Sequence, residues 1–294
     1  MASRTEVKQT PSSTRMKGAV PPDVIVIGAM RAGTTTIYEL MRATNVVSVA
    51  RMKETDFFLE SKFDRGLPWL NGQYEDLSKP LIDVSPNYSK VFVFPGVAER
   101  IYKTCPNAKL VYILRDPVKR ALSEYRHLAA MGYDLAMPDK VEAGIGKSAT
   151  DCSLYYAQLQ PYLEHWSMDQ IEIVEFEDLV EDQWGTLARL FDRLDLPAFS
   201  VDAEAVHTNS SDQLQKVPAW WGQMRNQPAI EWIRSKTPRE TVAQLKSLFF
   251  RGKPGAQAEI SFTDEAIQAV RDDIAEDVAK LRALTGRSFS RWSI

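Results

Sequence analysis

Hydrophobic residues in the first two thirds of the chain occur in short, continuous runs that are rich in β-branched side chains. These runs cover Val24 to Gly28, Leu81 to Val84, Leu110 to Leu114 and Ile171 to Phe176. A short apolar run bounded by polar residues is typical of a strand that is buried on both faces. Helical patterns separate the runs, and this alternation predicts βαβ units. We therefore expect an α/β fold with a P-loop-like parallel β-sheet flanked by helices.

Three other segments have apolar residues at helical spacing. One stripe runs from Trp184 to Leu194, another from Ile267 to Leu281, and a third from Tyr155 to Trp166. Pro161 interrupts the third stripe, and we expect a kink there because proline removes a backbone hydrogen bond. All three stripes predict helices whose apolar face packs into the core.

The length and composition indicate one large domain after a polar tail. Residues 1–20 have no apolar stretch, so we expect a disordered tail and no secretory signal, followed by a single domain over residues 21–294. No apolar run approaches the roughly 20 residues that cross a bilayer, so we expect no membrane span. Two cysteines are too few for a disulfide framework. Together these features predict a cytoplasmic protein.

The charge balance excludes some classes of partner. A net charge of −3 and a pI near 5.8 argue against a nucleic-acid partner, although a local basic pocket for a phosphorylated ligand is compatible with them. The two cysteines lack metal-ligand spacing, and we expect no metal. The oligomeric state is left open.

A glycine turn joins the first predicted strand to a predicted helix. Gly28 and Gly33 flank Arg31, and three threonines follow. Glycine lets the backbone approach an anion, and the free amides and dipole of a helix N-terminus favour negative charge. The glycine spacing matches a Walker A loop, but threonine stands where that loop requires lysine. The turn predicts either a well-capped helix or an anion site that consists of Arg31, Ala32, Gly33, Thr34, Thr35 and Thr36.

A second candidate anion site follows the strand predicted at Leu110 to Leu114. Arg115 ends the strand, Asp116 suits an N-cap, Pro117 suits the first helical position, and Ser123 lies about two turns along the helix. Arginine at the carboxyl end of a strand can bind phosphate through two hydrogen bonds, at the edge where open α/β sheets bind ligands. The alternative is a helix start whose Arg115 pairs with a neighbouring carboxylate.

The two motifs together resemble a family of sulfotransferases. This family includes the sulfotransferase domains of heparan sulfate N-deacetylase/sulfotransferase and heparan sulfate 3-O-sulfotransferase, and many bacterial relatives. The resemblance covers nearly everything after the tail. Weaker blocks support it in the right order, namely Asp83 to Tyr88, Tyr155 with Gln158 and Leu159, Glu177 to Leu179, and Leu284 to Arg287 with Trp292.

The resemblance implies how the donor 3′-phosphoadenosine 5′-phosphosulfate (PAPS) would be held. The first loop, from Arg31 to Thr36, would hold the 5′-phosphosulfate end, while Arg115 and Ser123 would hold the 3′-phosphate. A further segment is similar to the family's lid over the 3′-phosphate, which adds Arg251, Gly252 and Lys253 to the donor site.

Catalytic residues also follow from the resemblance. The segment Lys53-Glu54-Thr55-Asp56-Phe57-Phe58 is similar to the family segment Lys-Glu-Pro-His-Phe-Phe, whose glutamate is the proposed general base. Glu54 would therefore take the acceptor's proton, and the cations Arg31 and Lys53 would stabilise charge on the sulfate and the bridging oxygen. Arg31 stands where many relatives carry lysine, and it is the poorer proton donor. The alternatives are a solvated turn at this segment and, since cytosolic sulfotransferases use histidine, His207 as the base.

The resemblance implies a PAPS-dependent sulfotransferase that acts on a hydroxyl or an amine. Val84 stands where the heparan sulfate enzymes have a basic residue, and the chain is acidic, so we expect a small-molecule acceptor. Its pocket would contain the aromatic residues Tyr88, Trp220, Trp221 and Trp232. The alternatives are a carbohydrate sulfotransferase, a non-catalytic sensor of the bisphosphate, and a P-loop kinase or NTPase in which Asp83 would bind a metal.

Overall fold

The computed structural model describes residues 18–130, 140–141, 147–200 and 260–294. Over these ranges the strands are β1 (Val24–Gly28), β2 (Ser48–Val49), β3 (Leu81–Val84), β4 (Lys109–Leu114), β5 (Lys140–Val141), β6 (Ile171–Glu175) and β7 (Ser261–Phe262). Five of them form a parallel sheet in the order β2-β3-β1-β4-β6, and β5 pairs with β7 in a separate two-stranded sheet. The predicted parallel α/β architecture is confirmed.

Helices surround the sheet. Within the described ranges they are α1 (Thr34–Ala43), α2 (Glu60–Phe63), α3 (Gly66–Asn71), α4 (Val97–Thr104), α5 (Pro117–Ala130), α6 (Lys147–Asp151), α7 (Tyr155–Leu163), α8 (Phe176–Glu181), α9 (Gln183–Arg193) and α10 (Asp264–Thr285), with a 3₁₀ turn at Met168–Gln170. The three predicted amphipathic helices correspond to α7, α9 and α10, and Pro161 lies inside α7.

The central strands are buried because both faces of the sheet are covered. Every residue of β1 and β3 is buried, and so are the last five residues of β4. This burial explains why continuous apolar runs predicted the strands, whereas the two-residue β2 gave no such signal.

The carboxyl ends of β1, β3 and β4 lie side by side at one edge of the sheet. Just beyond them, the Ala29 amide donates to the Ile113 carbonyl at 2.8 Å, and the Ser85 amide donates to the Val26 carbonyl at 3.1 Å. Parallel packing therefore brings together the loops that follow these strands, and these loops contain the predicted site residues.

The limits of the predicted tail and domain stay predictions, because residues 1–17 lie outside the described part of the chain. Val20 is already tied to the domain. Its amide donates to Asn71 Oδ1 at 2.8 Å, and Asn71 Nδ2 donates to the Val20 carbonyl. Among the described residues, no helix is long and apolar enough to cross a membrane.

Candidate active site

The glycine turn leaves the N-terminus of α1 open to an anion. Gly33 is the N-cap in a left-handed conformation, with φ of 88°, and no side chain of the described residues caps the helix. Its first turn contains no acidic residue. The amides and the positive end of the helix dipole therefore have no compensating side chain in this turn. The alternative of a helix capped by its own threonines is not what the structure has.

The two predicted anion sites form one cluster. Arg31 Nε donates to Ser123 Oγ at 3.2 Å, and Arg115 Nη1 donates to the Arg31 carbonyl at 3.1 Å. The Arg115 guanidinium lies 4.9 Å from the centre of the Phe176 ring, and its own carbonyl accepts a hydrogen bond from the Tyr155 hydroxyl. The turn after β1 and the start of α5 thus present their cations together.

Both guanidinium groups are partly removed from water, with Glu124 acting on Arg31 and Glu177 and Asp116 acting on Arg115 only through longer-range electrostatics. Burial is the main cause that lowers the pKa of Arg31 and of Arg115, and the charge of Arg31 lowers the pKa of Arg115 further. Within the described residues neither side chain forms an ion pair or a hydrogen bond with a carboxylate. Two such cations beside an uncapped helix N-terminus make a site suited to a multiply charged anion.

The carboxylate oxygens of Asp116 accept hydrogen bonds from backbone amides, and in the described part of the chain neither forms a hydrogen bond with Arg115. Its Oδ1 accepts hydrogen bonds from the amides of Val118 and Lys119, both at 3.0 Å, as an N-cap does. Its Oδ2 accepts one from the amide of Ser293 at 2.8 Å. The predicted N-cap is confirmed, and the structure thereby leaves Arg115 available to a ligand.

The structure adds charged residues that sequence reasoning missed. Lys90 Nζ lies 3.0 Å from the thioether of Met30 in the glycine turn and 4.0 Å from Glu124 Oε1. Glu124 is buried, and its Oε2 lies 3.9 Å from Nη1 of the buried Arg120. Neither of these last two atoms has a hydrogen-bond partner. Ser123 and Glu124 lie three and four residues after Arg120 on α5, and this spacing is the one signal that could have placed them on the same helix face as Arg120.

His127 lies one turn beyond Glu124 on α5, and its pKa depends on its burial and on the charges around it. Burial is the main cause that lowers its pKa. Arg31 and Lys90 lower the pKa further, whereas Glu124 and Glu54 raise it. The structure therefore brings Glu54 and Arg31 within electrostatic range of one point on α5, although they come from different loops.

The predicted catalytic segment follows β2 and crosses the end of β3. Lys53 Nζ donates to Glu54 Oε1 at 2.5 Å, and both side chains are partly exposed. Asp56 is nearly buried, accepts hydrogen bonds from Asn87 Nδ2 and lies 4.0 Å from Lys62 Nζ. Burial raises the pKa of Asp56 to about 6, against the opposing effects of Lys62 and Asn87.

Asp83, the carboxylate offered for a metal in the kinase alternative, is enclosed in the core. Its side chain is fully buried and accepts hydrogen bonds from the hydroxyls of Thr55, Ser85 and Tyr88. With three hydroxyl donors on its two oxygens, Asp83 is a structural acceptor, and Tyr88 is a buried donor to it rather than a side chain of an open pocket.

Several predicted residues lie outside the described part of the chain. They are the lid residues Arg251, Gly252 and Lys253, the reserve base His207, and the aromatic residues Trp220, Trp221 and Trp232.

Comparison with known proteins decides the family. Residues 21–282 match the sequence profile of the sulfotransferase domain. This chain belongs to the sulfotransferase family. Mouse heparan sulfate glucosamine 3-O-sulfotransferase 3B1 is 29% identical over 195 residues, which are 62% of this chain and 48% of the relative. The bifunctional heparan sulfate N-deacetylase/N-sulfotransferase 1 of Caenorhabditis briggsae is 25% identical over 200 residues, 60% of this chain and 23% of that protein.

This sulfotransferase chain spans about half the length, or less, of the curated relatives it matches. Its fold is also that of a solved family structure. The crystal structure of a sulfotransferase from Alicyclobacillus acidocaldarius aligns with a TM-score of 0.54 at 20% sequence identity, and the alignment covers 94% of this chain and all of the other. The predicted family and the sulfotransferase fold are confirmed.

Proposed function

We propose that this chain transfers a sulfuryl group from PAPS to a hydroxyl or an amine. The observation that carries the proposal is the pair Arg31 and Arg115, two half-buried cations that are joined through the Arg31 carbonyl. Within the described residues neither forms an ion pair or a hydrogen bond with a carboxylate. They lie beside the uncapped N-terminus of α1, where three α-helical amides would meet the donor's 5′-phosphosulfate.

The residues have distinct parts in the proposed reaction. The backbone of Ala32 to Thr36 and the Arg31 side chain would bind the phosphosulfate, while Arg115 and Ser123 would bind the 3′-phosphate. Glu54 would accept the acceptor's proton as the new bond to sulfur forms, and the bond from sulfur to the bridging oxygen breaks. Cations near that oxygen would stabilise the leaving bisphosphate, a part we assign to Arg31 and Lys53.

Two acceptor classes are supported by different observations. The names of the matched relatives, which concern glucosamine in heparan sulfate, favour a carbohydrate. The net charge of −3, Val84 and the second carboxylate Asp56 beside Glu54 favour a small, neutral or basic acceptor over a polyanionic chain. We propose the small-molecule acceptor, and a cytoplasmic location goes with it.

Donor binding can be tested without knowing the acceptor. We expect calorimetry to show binding of adenosine 3′,5′-bisphosphate without magnesium. We also expect Arg115→Ala to weaken that binding by about 2 kcal/mol, because a charge-assisted contact is lost. Arg42→Ala at the exposed, far end of α1 is the matched control and should bind as the wild type does. Magnesium-dependent ATP binding with no response to the bisphosphate would overturn the donor assignment.

Transfer itself requires an unbiased search for the acceptor. The protein is incubated with ³⁵S-labelled PAPS and either a metabolite extract or a set of desulfated and N-deacetylated heparosan oligosaccharides, and labelled products are identified by mass. We expect label in a small metabolite. Label only in the oligosaccharides would replace our acceptor class, and bisphosphate binding without any transfer would favour the sensor.

A further inference from the structure

The loop that carries Glu54 is fixed to the core at one buried residue. Thr55 is fully buried, and its hydroxyl lies 2.9 and 3.0 Å from the two carboxylate oxygens of Asp83. The same hydroxyl accepts a hydrogen bond from the amide of Phe57 at 3.2 Å. The carbonyl of Thr55 accepts one from Lys62 Nζ at 2.9 Å. The Thr55 hydroxyl therefore links the loop to the core, and the Thr55 carbonyl adds a second contact that holds the loop.

The neighbours of Thr55 adopt backbone conformations that need such support. Glu54 and Asp56 have φ values of 63° and 52°, in the left-handed region of the backbone that residues other than glycine rarely adopt. The amide of Glu54 donates to the Val84 carbonyl at 3.0 Å, and the amide of Asp56 donates to Ser85 Oγ at 3.1 Å. Conformations of this kind persist only where the surrounding contacts determine them, and here the contacts converge on the end of β3.

Asp83 organises those contacts. Besides Thr55, it accepts hydrogen bonds from the Tyr88 hydroxyl at 2.7 Å and from Ser85 Oγ at 3.1 Å. Ser85 in turn accepts from Asp56, and the Tyr88 hydroxyl accepts from the amide of Phe58 at 3.4 Å. Burial raises the pKa of Asp83, and its three hydroxyl donors oppose that rise. One buried carboxyl group thus orients the hydroxyl groups that hold the residues directly after Glu54.

We propose that Asp83 is a positioning residue that acts through Thr55 to fix Glu54 in the orientation required for proton transfer. The proposal rests on the proposed role of Glu54 as the base. In the family segment that this loop resembles, proline occupies the position of Thr55, so the rigidity that a proline ring would supply comes here from a hydrogen bond to the core. Because the Glu54 side chain is partly exposed and contacts Lys53, its backbone determines where its carboxylate lies.

The experiment compares Thr55→Val, which keeps the shape and removes the hydroxyl, with Thr55→Ser, which keeps the hydroxyl. Thr44→Val is the matched control, because Thr44 is also buried and its hydroxyl donates to the Met41 carbonyl at the C-terminal end of α1. Transfer is measured as bisphosphate release from PAPS with the extract fraction that accepts label, together with the bisphosphate dissociation constant. Hydrogen exchange of the amides of Asp56 and Phe57 is measured on the same proteins.

We expect Thr55→Val to lower kcat at least tenfold and to speed exchange of both amides, with bisphosphate affinity within twofold of the wild type. Thr55→Ser should restore kcat and exchange protection, and Thr44→Val should change neither. A threefold or smaller effect of Thr55→Val on kcat, or unchanged exchange, would overturn the proposal. Hydrogen exchange does not depend on any acceptor substrate, so the contribution of the Thr55 hydroxyl to the order of this loop is tested even if transfer is not found.

Glu54→Gln separates this proposal from the function on which it rests. If Thr55 acts through Glu54, adding Thr55→Val to Glu54→Gln should cause no further loss of transfer. A further tenfold loss in the double variant would show that Thr55 acts by another route. If Glu54→Gln alone keeps full activity, the base assignment fails, whatever Thr55→Val does.

Discussion

At the scale of single residues, charged side chains of the candidate site are removed from water, and their polar neighbours do not fully offset the cost of that burial. Asp56 sits beside Glu54 with Asn87 as a hydrogen-bond donor and Lys62 at 4.0 Å, yet desolvation dominates and raises its pKa to about 6. Arg31 and Arg115 likewise form no ion pair with a carboxylate within the described residues, and burial lowers their pKa values more than the nearby carboxylates raise them. Groups left uncompensated in this way are typical of functional sites.

Asp56→Asn should make the stability of the protein less dependent on pH. The folded-state pKa of Asp56 is above its unfolded value, so its contribution to stability is largest below about pH 4 and falls as the pH rises through about 6. We expect the variant to gain about 1 to 3 kcal/mol of unfolding free energy above pH 6 and nothing below pH 4. Urea unfolding across this range measures the gain.

Asp64→Asn, at an exposed carboxylate that follows α2, is the control for this prediction and should shift stability equally little at every pH. A constant difference between wild type and Asp56→Asn at all pH values would mean that Asp56 does not titrate in this range.

At the scale of elements, the turn between β1 and α1 takes part both in helix packing and in the candidate site. A Cβ at Gly33 would lie 2.9 Å from Phe176 Cδ2 and 3.1 Å from Leu179 Cδ2 of α8. The Phe176 ring in turn lies under the Arg115 guanidinium. Glycine is therefore needed both for the positive φ and for the close approach of α1 to α8, and the same contact supports Arg115, a cation of the proposed donor site.

Gly33→Ala should consequently lower both stability and bisphosphate affinity. The left-handed conformation costs about 1 kcal/mol, and overpacking against Phe176 adds about 1 to 3 kcal/mol. We expect at least a tenfold loss of bisphosphate affinity by calorimetry. Gly286→Ala is a matched control, since Gly286 also has positive φ but its Cβ would meet nothing within 4 Å. Equal effects of the two variants would assign the whole loss to backbone strain.

At the scale of the whole molecule, the C-terminal helix α10 stabilises α7 and, through α7, the backbone of Arg115. Asp277 of α10 accepts hydrogen bonds from the amides of Tyr156 and Ala157 at 2.9 and 2.8 Å, and so caps α7 from a distant part of the chain. Tyr155, the first residue of α7, donates its hydroxyl to the Arg115 carbonyl. The stability of α7 and the backbone at the donor site thus depend on a residue near the end of the sequence.

Asp277→Ala should lower the unfolding free energy by about 2 kcal/mol, because two part-buried amides lose their acceptor. Urea unfolding measures this loss, and Glu276→Ala, which removes an exposed carboxylate one residue away, should cost much less. Similar losses in the two variants would show that the cap contributes no more than a surface ion pair.

The sequence by itself determined the local features of this protein. Continuous apolar runs predicted β1, β3, β4 and β6, because strands buried on both faces need apolar side chains at every position. The glycine turn and the start of α5 were recognisable because anion binding at a helix N-terminus needs particular residues at close spacing. The resemblance then added Glu54, whose role no local pattern could have specified.

Only the tertiary structure decided which of these features meet. The contact between Arg31 and Ser123 spans 92 positions, and Thr55 reaches Asp83 across 28, so neither has a signature in local spacing. Parallel strand order brings the two loops to one edge of the sheet, and burial then determines which charges find partners. It gave Asp83 three hydroxyl donors and left Arg115 without an ion pair among the described residues, because pairing depends on distances that the chain acquires only when it folds.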